Sequence, residues 1–210
     1  LNAQASRRSL PDRFPVVLLN CPPSDAAYDS IGIANFEGAR TMVKHLASLG
    51  HTRIAIINGA EGNFDASERL RGYRAALEEC GLRPDPALEF PGDFSEAAGH
   101  AAAGRILATA SRPTAVFAAN DGMAIGALSA FRDAGLRLPA DIAIGGFDDI
   151  PMARYVEPAL TSMHVDIHAL GARATSWLLD ALRSSNGREL RHETLPTTLV
   201  VRRSCGARSG

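Results

Sequence analysis

The sequence predicts an α/β protein built on a mostly parallel sheet. Three observations carry that prediction. Short runs of β-branched and aliphatic residues alternate with longer amphipathic segments from Phe14 to Asp148. The amphipathic segments end at Gly50, Gly81 and Gly135, and glycine is the usual residue just past a helix end because it takes the left-handed conformation without penalty. Strands alternating with helices of this length form βαβ units, whose strands run parallel.

Taken in order, "FPVVLLN" (14–20) reads as a buried strand. "NFEGARTMVKHLASLG" (35–50) places Phe36, Ala39, Val43 and Leu46 on one helical stripe. "RIAIING" (53–59) is the next strand, and "SERLRGYRAALEECG" (67–81) a helix with Ser67 as its cap. A short strand at 88–90 precedes a helix from Ser95 to Leu107. Strand "TAVFAAN" (114–120), a helix over 122–134 and strand "IAIGGFD" (142–148) follow. The last part holds a helix over 168–184, with Leu170, Ala174, Trp177, Leu178 and Leu182 on one face. A turn at "SSNG" then leads to a final strand, "LPTTLVVRR". Helix 122–134 is apolar nearly all round (Met123, Ala124, Ile125, Ala127, Leu128, Ala130, Phe131). That pattern predicts burial on two sides, one by the sheet and the other by a partner subunit with Leu128 in the contact.

The 210 residues are 46% hydrophobic and 21% charged, with a net charge of -1. This is the composition of a soluble globular chain. Near-zero charge argues against a DNA-binding surface within these residues. Lys44 is the only lysine, and the arginines are scattered rather than clustered. Cys21, Cys80 and Cys205 lie far apart with no C-x-x-C spacing, a pattern of free thiols in a reducing, cytoplasmic compartment. No apolar run approaches the ~20 residues of a membrane span, and no signal-peptide pattern opens the sequence.

Catalytic and cofactor motifs are missing. No two glycines lie two apart, the one lysine follows no glycine, and there is neither H-E-x-x-H nor G-x-S-x-G. This excludes the dinucleotide fingerprint, the Walker A loop, the zinc-protease helix and the nucleophile elbow. His164 and His168 straddle a strand-to-helix boundary and read as structural, so no metal site and no cofactor are expected.

Polar residues stand instead at the carboxyl ends of strands. Asn120 and Asp121 follow "TAVFAA"; Asp148 and Asp149 follow "IAIGGF". In an open parallel sheet ligands bind at that edge. Asp121 reads as the cap of the following helix, and Asp149 likewise, with Pro151 suited to a first turn. Asn120 and Asp148, one residue earlier, read as ligand contacts.

These residues resemble the effector-binding module of the lactose repressor/galactose repressor (LacI/GalR) family, itself similar to periplasmic sugar-binding proteins. The matching stretches are "NFEGARTMVKHLASLGHTRIAIING", "ERLRGYRAAL", "RPTAVFAANDGMAIGAL", "GLRLPADIAIGGFDDIPMARYVEPALTSMHVD" and "LPTTLVVRRS". The "F-D-D-I…P-x-L-T" block and the terminal "L-V-x-R-x-S" strand are specific to the repressors. Where the family has Asp before the Asn of its D-N-x-x-G motif, this chain has Ala34. The resemblance implies two doubly wound parallel-sheet subdomains of the periplasmic-binding-protein-like type, with the ligand between them. Three crossovers fall near 58–60, 162–165 and 194–196. Residues 1–58 with 166–194 would form an incomplete N-terminal subdomain, and 59–165 with 195–210 the C-terminal one.

By the same resemblance Arg69, Phe94, Asn120 and Asp148 bind a small-molecule effector, a sugar. The chain would act as a homodimer and reach operator DNA through an N-terminal domain outside these residues. It would be neither an enzyme nor a membrane protein. An effector that favours one conformation over another sets DNA binding through its differential affinity. The alternative is a periplasmic sugar-binding protein of a transport system. A signal peptide upstream would mark transport, and a helix-turn-helix would mark regulation.

Overall fold

The computed structural model describes residues 15–21, 28–183 and 189–207. In chain order the elements are β1 (Val17–Leu19), β2 (Asp29–Ile33), α1 (Asn35–Ser48), β3 (Ile54–Ile57), α2 (Phe64–Glu79), β4 (Glu89–Phe90) and α3 (Glu96–Leu107). Then come β5 (Ala115–Ala118), α4 (Asp121–Asp133), β6 (Ala143–Asp148), β7 (Thr161–Val165), α5 (Ile167–Arg183), β8 (His192–Leu195) and β9 (Thr197–Val200). The predicted "SSNG" turn and the stretch before Pro15 lie outside the described residues. No helix among the described residues is long and apolar enough to cross a membrane.

Two compact units share the chain: Leu1–Ala34 with Asp166–Pro196, and Asn35–Val165 with Thr197–Gly210. The first crossing therefore lies at Ala34–Asn35, not near 58–60, and 35–58 belongs to the second unit. Packing decides this. Gly72 of α2 lies so close to α1 that a Cβ there would fall 2.2 Å from the Phe36 carbonyl oxygen. Met42 of α1 lies over Gly145 of β6. A helix with those neighbours cannot belong to another body.

In the first unit β1, β2 and β8 form a parallel sheet in the order β1-β2-β8. Leu170 and Trp177 of α5 bury against Ile31, with Val17, Ala174 and Leu195 beside them. Leu182, predicted on the same face, is 63% exposed. The Arg191 guanidinium stands 4.6 Å from the Trp177 ring centroid, a cation–π distance. Strand β2 escapes the sequence pattern because Asp29 and Ser30 begin it. Both are buried, and the Ser30 hydroxyl lies 2.8 Å from His192 Nδ1 on the neighbouring strand.

The second unit holds a six-stranded sheet in the order β4-β3-β5-β6-β7-β9, parallel except for β9. The chain moves from β3 to one side for β4, then to the other for β5. This reversal opens a crevice at the carboxyl ends of β3 and β5. The single predicted C-terminal strand is two strands, because Pro196 separates β8, parallel to β2, from β9, antiparallel to β7. Strand β7 was hidden by Thr161 and Ser162, which are fully buried and hydrogen-bonded.

The all-round apolar surface of α4 has its explanation inside the unit. One side meets β5 and β6; the other meets α3, through glycines that bring the backbones together. A Cβ on Gly126 would fall 1.9 Å from the Glu96 carbonyl oxygen, and one on Gly99 would fall 2.1 Å from that of Met123. Leu128 is only 2% exposed, within a core that includes Ala102, Ala103, Ile106 and Phe131. Leu128 therefore has no surface to offer a partner subunit, and its placing in such a contact is corrected; Ile125 of the same helix stays partly exposed. The α2 cap is also displaced: Asn63, not Ser67, accepts from the Ala66 amide at 2.9 Å, and the helix starts at Phe64.

Candidate effector site

Strand β6 ends at Asp148, where the backbone turns sharply. Asp148 has φ +105° and Asp149 φ +54°, a region that L-residues enter only under constraint. The Asp148 carboxylate lies 3.5 Å from Arg69 Nη2. Arg69 rises from α2 and is 4% exposed. Its guanidinium carbon sits 3.8 Å from the Phe147 ring centroid and 6.0 Å from that of Phe94. Its Nε donates to Asn35 Oδ1 at 2.8 Å, and its Nη1 to the Ala119 carbonyl at the end of β5. Asn35 Nδ2 in turn donates to Asp65 Oδ1 at 2.7 Å. One guanidinium thus ties α1, α2, β5 and β6 together.

Phe94 stands opposite, also with a positive φ of +73°. Its ring occupies the space where a side chain on Gly59 would be, since a Cβ there would fall 2.1 Å from the ring. Asn120 holds this arrangement. Its Nδ2 donates to the Phe94 carbonyl at 2.9 Å, and its Oδ1 accepts from the Met123 amide at 3.0 Å.

The four sequence-predicted residues therefore meet in one unit, at the carboxyl edge of β5 and β6, but their roles divide differently than predicted. Asn120 is the cap of α4, and both ends of its amide are engaged locally. Asp121 is not the cap. It is fully buried, accepting from the Ser162 hydroxyl at 2.6 Å and the Ile150 amide at 2.9 Å. Nor is Asp149 a cap: the turn 151–154 has Ile150 at its cap position, without a side-chain bond. Asp149 accepts from Arg202 Nη2 at 2.6 Å and faces His164 Nδ1 at 3.1 Å.

Asn35, Asp65 and Phe147 were not singled out from the sequence. The one available signal was Asp65 four residues before Arg69, which places both on one helix face.

Burial dominates the electrostatics. It pushes Asp148 up to about 6, because the attraction of Arg69 offsets the lost hydration only in part. Asp121 is pushed up to about 7 by burial, against the hydrogen bonds from Ser162 and Ile150, while Asp148 and Asp149 push the same way as burial. Burial also raises Asp65 and lowers Arg69. The site holds charge at a cost, which a ligand's own polar groups would reduce.

A family model described as "Periplasmic binding protein-like domain" matches residues 43–205. The HTH-type transcriptional repressor PurR of Pasteurella multocida (strain Pm70) is 37% identical over 195 residues, which are 93% of this chain and 58% of that protein. A regulatory protein of LacI family from Chloroflexus aggregans superposes with a TM-score of 0.87 at 31% identity, covering 97% of this chain and 73% of the other. The chain belongs to the LacI family. A LacI family transcriptional regulator from Enterococcus faecium, solved with bound ribose, superposes with a TM-score of 0.82 at 29% identity, over 90% and 70% of the two chains. This LacI-family chain carries the α/β periplasmic-binding-protein-like domain. Its close homologues are transcriptional repressors and not enzymes. It spans somewhat over half the length of the curated relatives it matches.

Proposed function

We propose that this chain is the effector-sensing part of a DNA-binding transcriptional regulator, and that Arg69, Phe94 and Asp148 hold the effector, a sugar. Asn120 supports them by fixing Phe94. The observation that carries this reading is the pair of a buried Arg69 and a half-buried Asp148 beside a backbone turn in the left-handed region. At 3.5 Å the two charges attract without a full hydrogen bond, so a ligand hydroxyl can bridge them. A carboxylate and a guanidinium each bind neighbouring hydroxyls of a ring, and the Phe94 ring offers a face for its apolar side. The ribose bound by the Enterococcus faecium relative has that chemistry. Operator DNA is engaged by an N-terminal domain outside these residues, and the regulator works in the cytoplasm.

Asp148→Ala should weaken sugar binding by roughly 2–4 kcal/mol, because ligand hydroxyls lose water without replacement. The melting temperature should hold, since the variant removes a desolvated charge. Calorimetry in the intact protein, with ribose as the first ligand and others from thermal-shift screening, measures both. Unaltered affinity in this variant would refute the assignment.

The regulator acts as a homodimer. With Leu128 enclosed, the apolar side chains of the second unit most open to a partner are Met152, 54% exposed, and Tyr155, 79% exposed. Tyr155→Glu should halve the mass of the intact protein in solution and leave its circular dichroism unchanged, whereas Leu128→Glu should unfold it. A Tyr155→Glu protein of undiminished mass places the contact elsewhere.

A further inference from the structure

Asp121 is the most deeply buried carboxylate beside the site, and capping does not account for it, because Asn120 caps α4. Its two oxygens face the chain that follows Asp148. Oδ2 accepts from the Ile150 amide at 2.9 Å. Oδ1 accepts from the Ser162 hydroxyl at 2.6 Å, and that hydroxyl oxygen accepts from the Asp149 amide at 3.1 Å. Two successive amides, directly after Asp148, are therefore held by one carboxylate, once directly and once through a serine. Room for the carboxylate comes from Gly146, where a Cβ would fall 2.1 Å from Oδ1.

These bonds lie where the backbone most needs them. Asp148 and Asp149 both have positive φ, and such conformations persist only where surrounding contacts over-determine them. Released from the clamp, residues 148–150 would relax toward ordinary backbone angles, and the Asp148 side chain would swing away from Arg69. The second hold on this turn, Asp149 against Arg202 and His164, acts on a side chain and leaves the amides of 149 and 150 to Asp121 and Ser162.

We propose that Asp121, acting with Ser162, is a positioning residue that clamps the 148–150 backbone and so presents the Asp148 carboxylate to the effector. This rests on the reading of Asp148 as an effector-binding residue. The clamp itself can be tested without any ligand.

Hydrogen exchange followed by mass spectrometry on the intact protein reads the clamp directly. In Asp121→Ala the peptide spanning 147–152 should exchange at least tenfold faster, while peptides from β3 and α3 keep wild-type rates. Ser162→Ala should show a smaller acceleration, and Asp121→Asn, which retains one acceptor oxygen, an intermediate one. Ribose affinity should fall about tenfold or more in Asp121→Ala at a temperature where circular dichroism shows the fold intact. Unchanged exchange over 147–152 would overturn the proposal. So would acceleration spread evenly over the second unit, which marks a merely structural residue. Faster local exchange with ribose binding lost in Asp148→Ala but intact in Asp121→Ala would overturn the positioning role. Faster local exchange with binding intact in both variants would leave the clamp standing and sink the effector reading.

Discussion

Replacing Arg69 by methionine will destabilise the protein by about 3–5 kcal/mol, the usual cost of removing one member of a buried charged network. A binding arginine resting on the surface could be deleted without such a loss. This one is 4% exposed, and its removal strips a donor from Asn35 Oδ1, another from the Ala119 carbonyl, and the positive charge that attracts both Asp148 and Asp65. Methionine fills the volume and keeps contact with the Phe147 ring, so the loss measures unpaired polar groups rather than a cavity. Asp148→Ala should show the reverse pattern, with binding lost and stability kept. Chemical denaturation of the two variants separates them. Equal stability of Arg69→Met and wild type would mean that the guanidinium carries no structural burden.

Stability will fall as pH rises from about 4 to above 7, and Asp121 is the main cause. Its folded value of about 7 lies above the ordinary 3.8, so the folded state binds a proton that the unfolded state has released. The contribution is full below the ordinary value and is lost as pH climbs through about 7. A carboxyl moved that far contributes roughly 4 kcal/mol, at ~1.4 kcal/mol per pH unit. Asp148, pushed up to about 6, acts in the same direction with a smaller effect, because its side chain keeps 32% exposure. The charged groups facing Asp121 are Asp148 and Asp149, which push it further up, and Arg69, whose own titration responds to Asp121. Asp149 is itself held by Arg202 beside His164. Asp121→Asn should flatten the curve across this window and leave the protein at least as stable as wild type above pH 7. Urea midpoints between pH 4 and 8 decide it. An unchanged slope in Asp121→Asn would remove Asp121 as the titrating group.

The α/β class, the order of most strands and helices, and the placing of Asn120 and Asp148 at one sheet edge were legible in the sequence. Each rests on local information: hydrophobic period, glycine stops, and polar residues where a strand pattern ends. The family resemblance added Arg69 and Phe94, which periodicity alone would have left as a helix arginine and a core aromatic. What the sequence hid were strands β2 and β7, whose buried positions include Asp29, Ser30, Thr161 and Ser162. A buried polar residue is legible only when its hydrogen-bond partner is known, and the partners of Ser30, Thr161 and Ser162 lie 162, 41 and 41 residues away. The boundary at Ala34, the packing of α4 against α3, and the cap falling to Asn120 rather than Asp121 were decided by tertiary structure alone. Adjacent residues of similar chemistry can each cap a helix. Only the Phe94 carbonyl on one side, and Ser162 with the Ile150 amide on the other, determined which of them did.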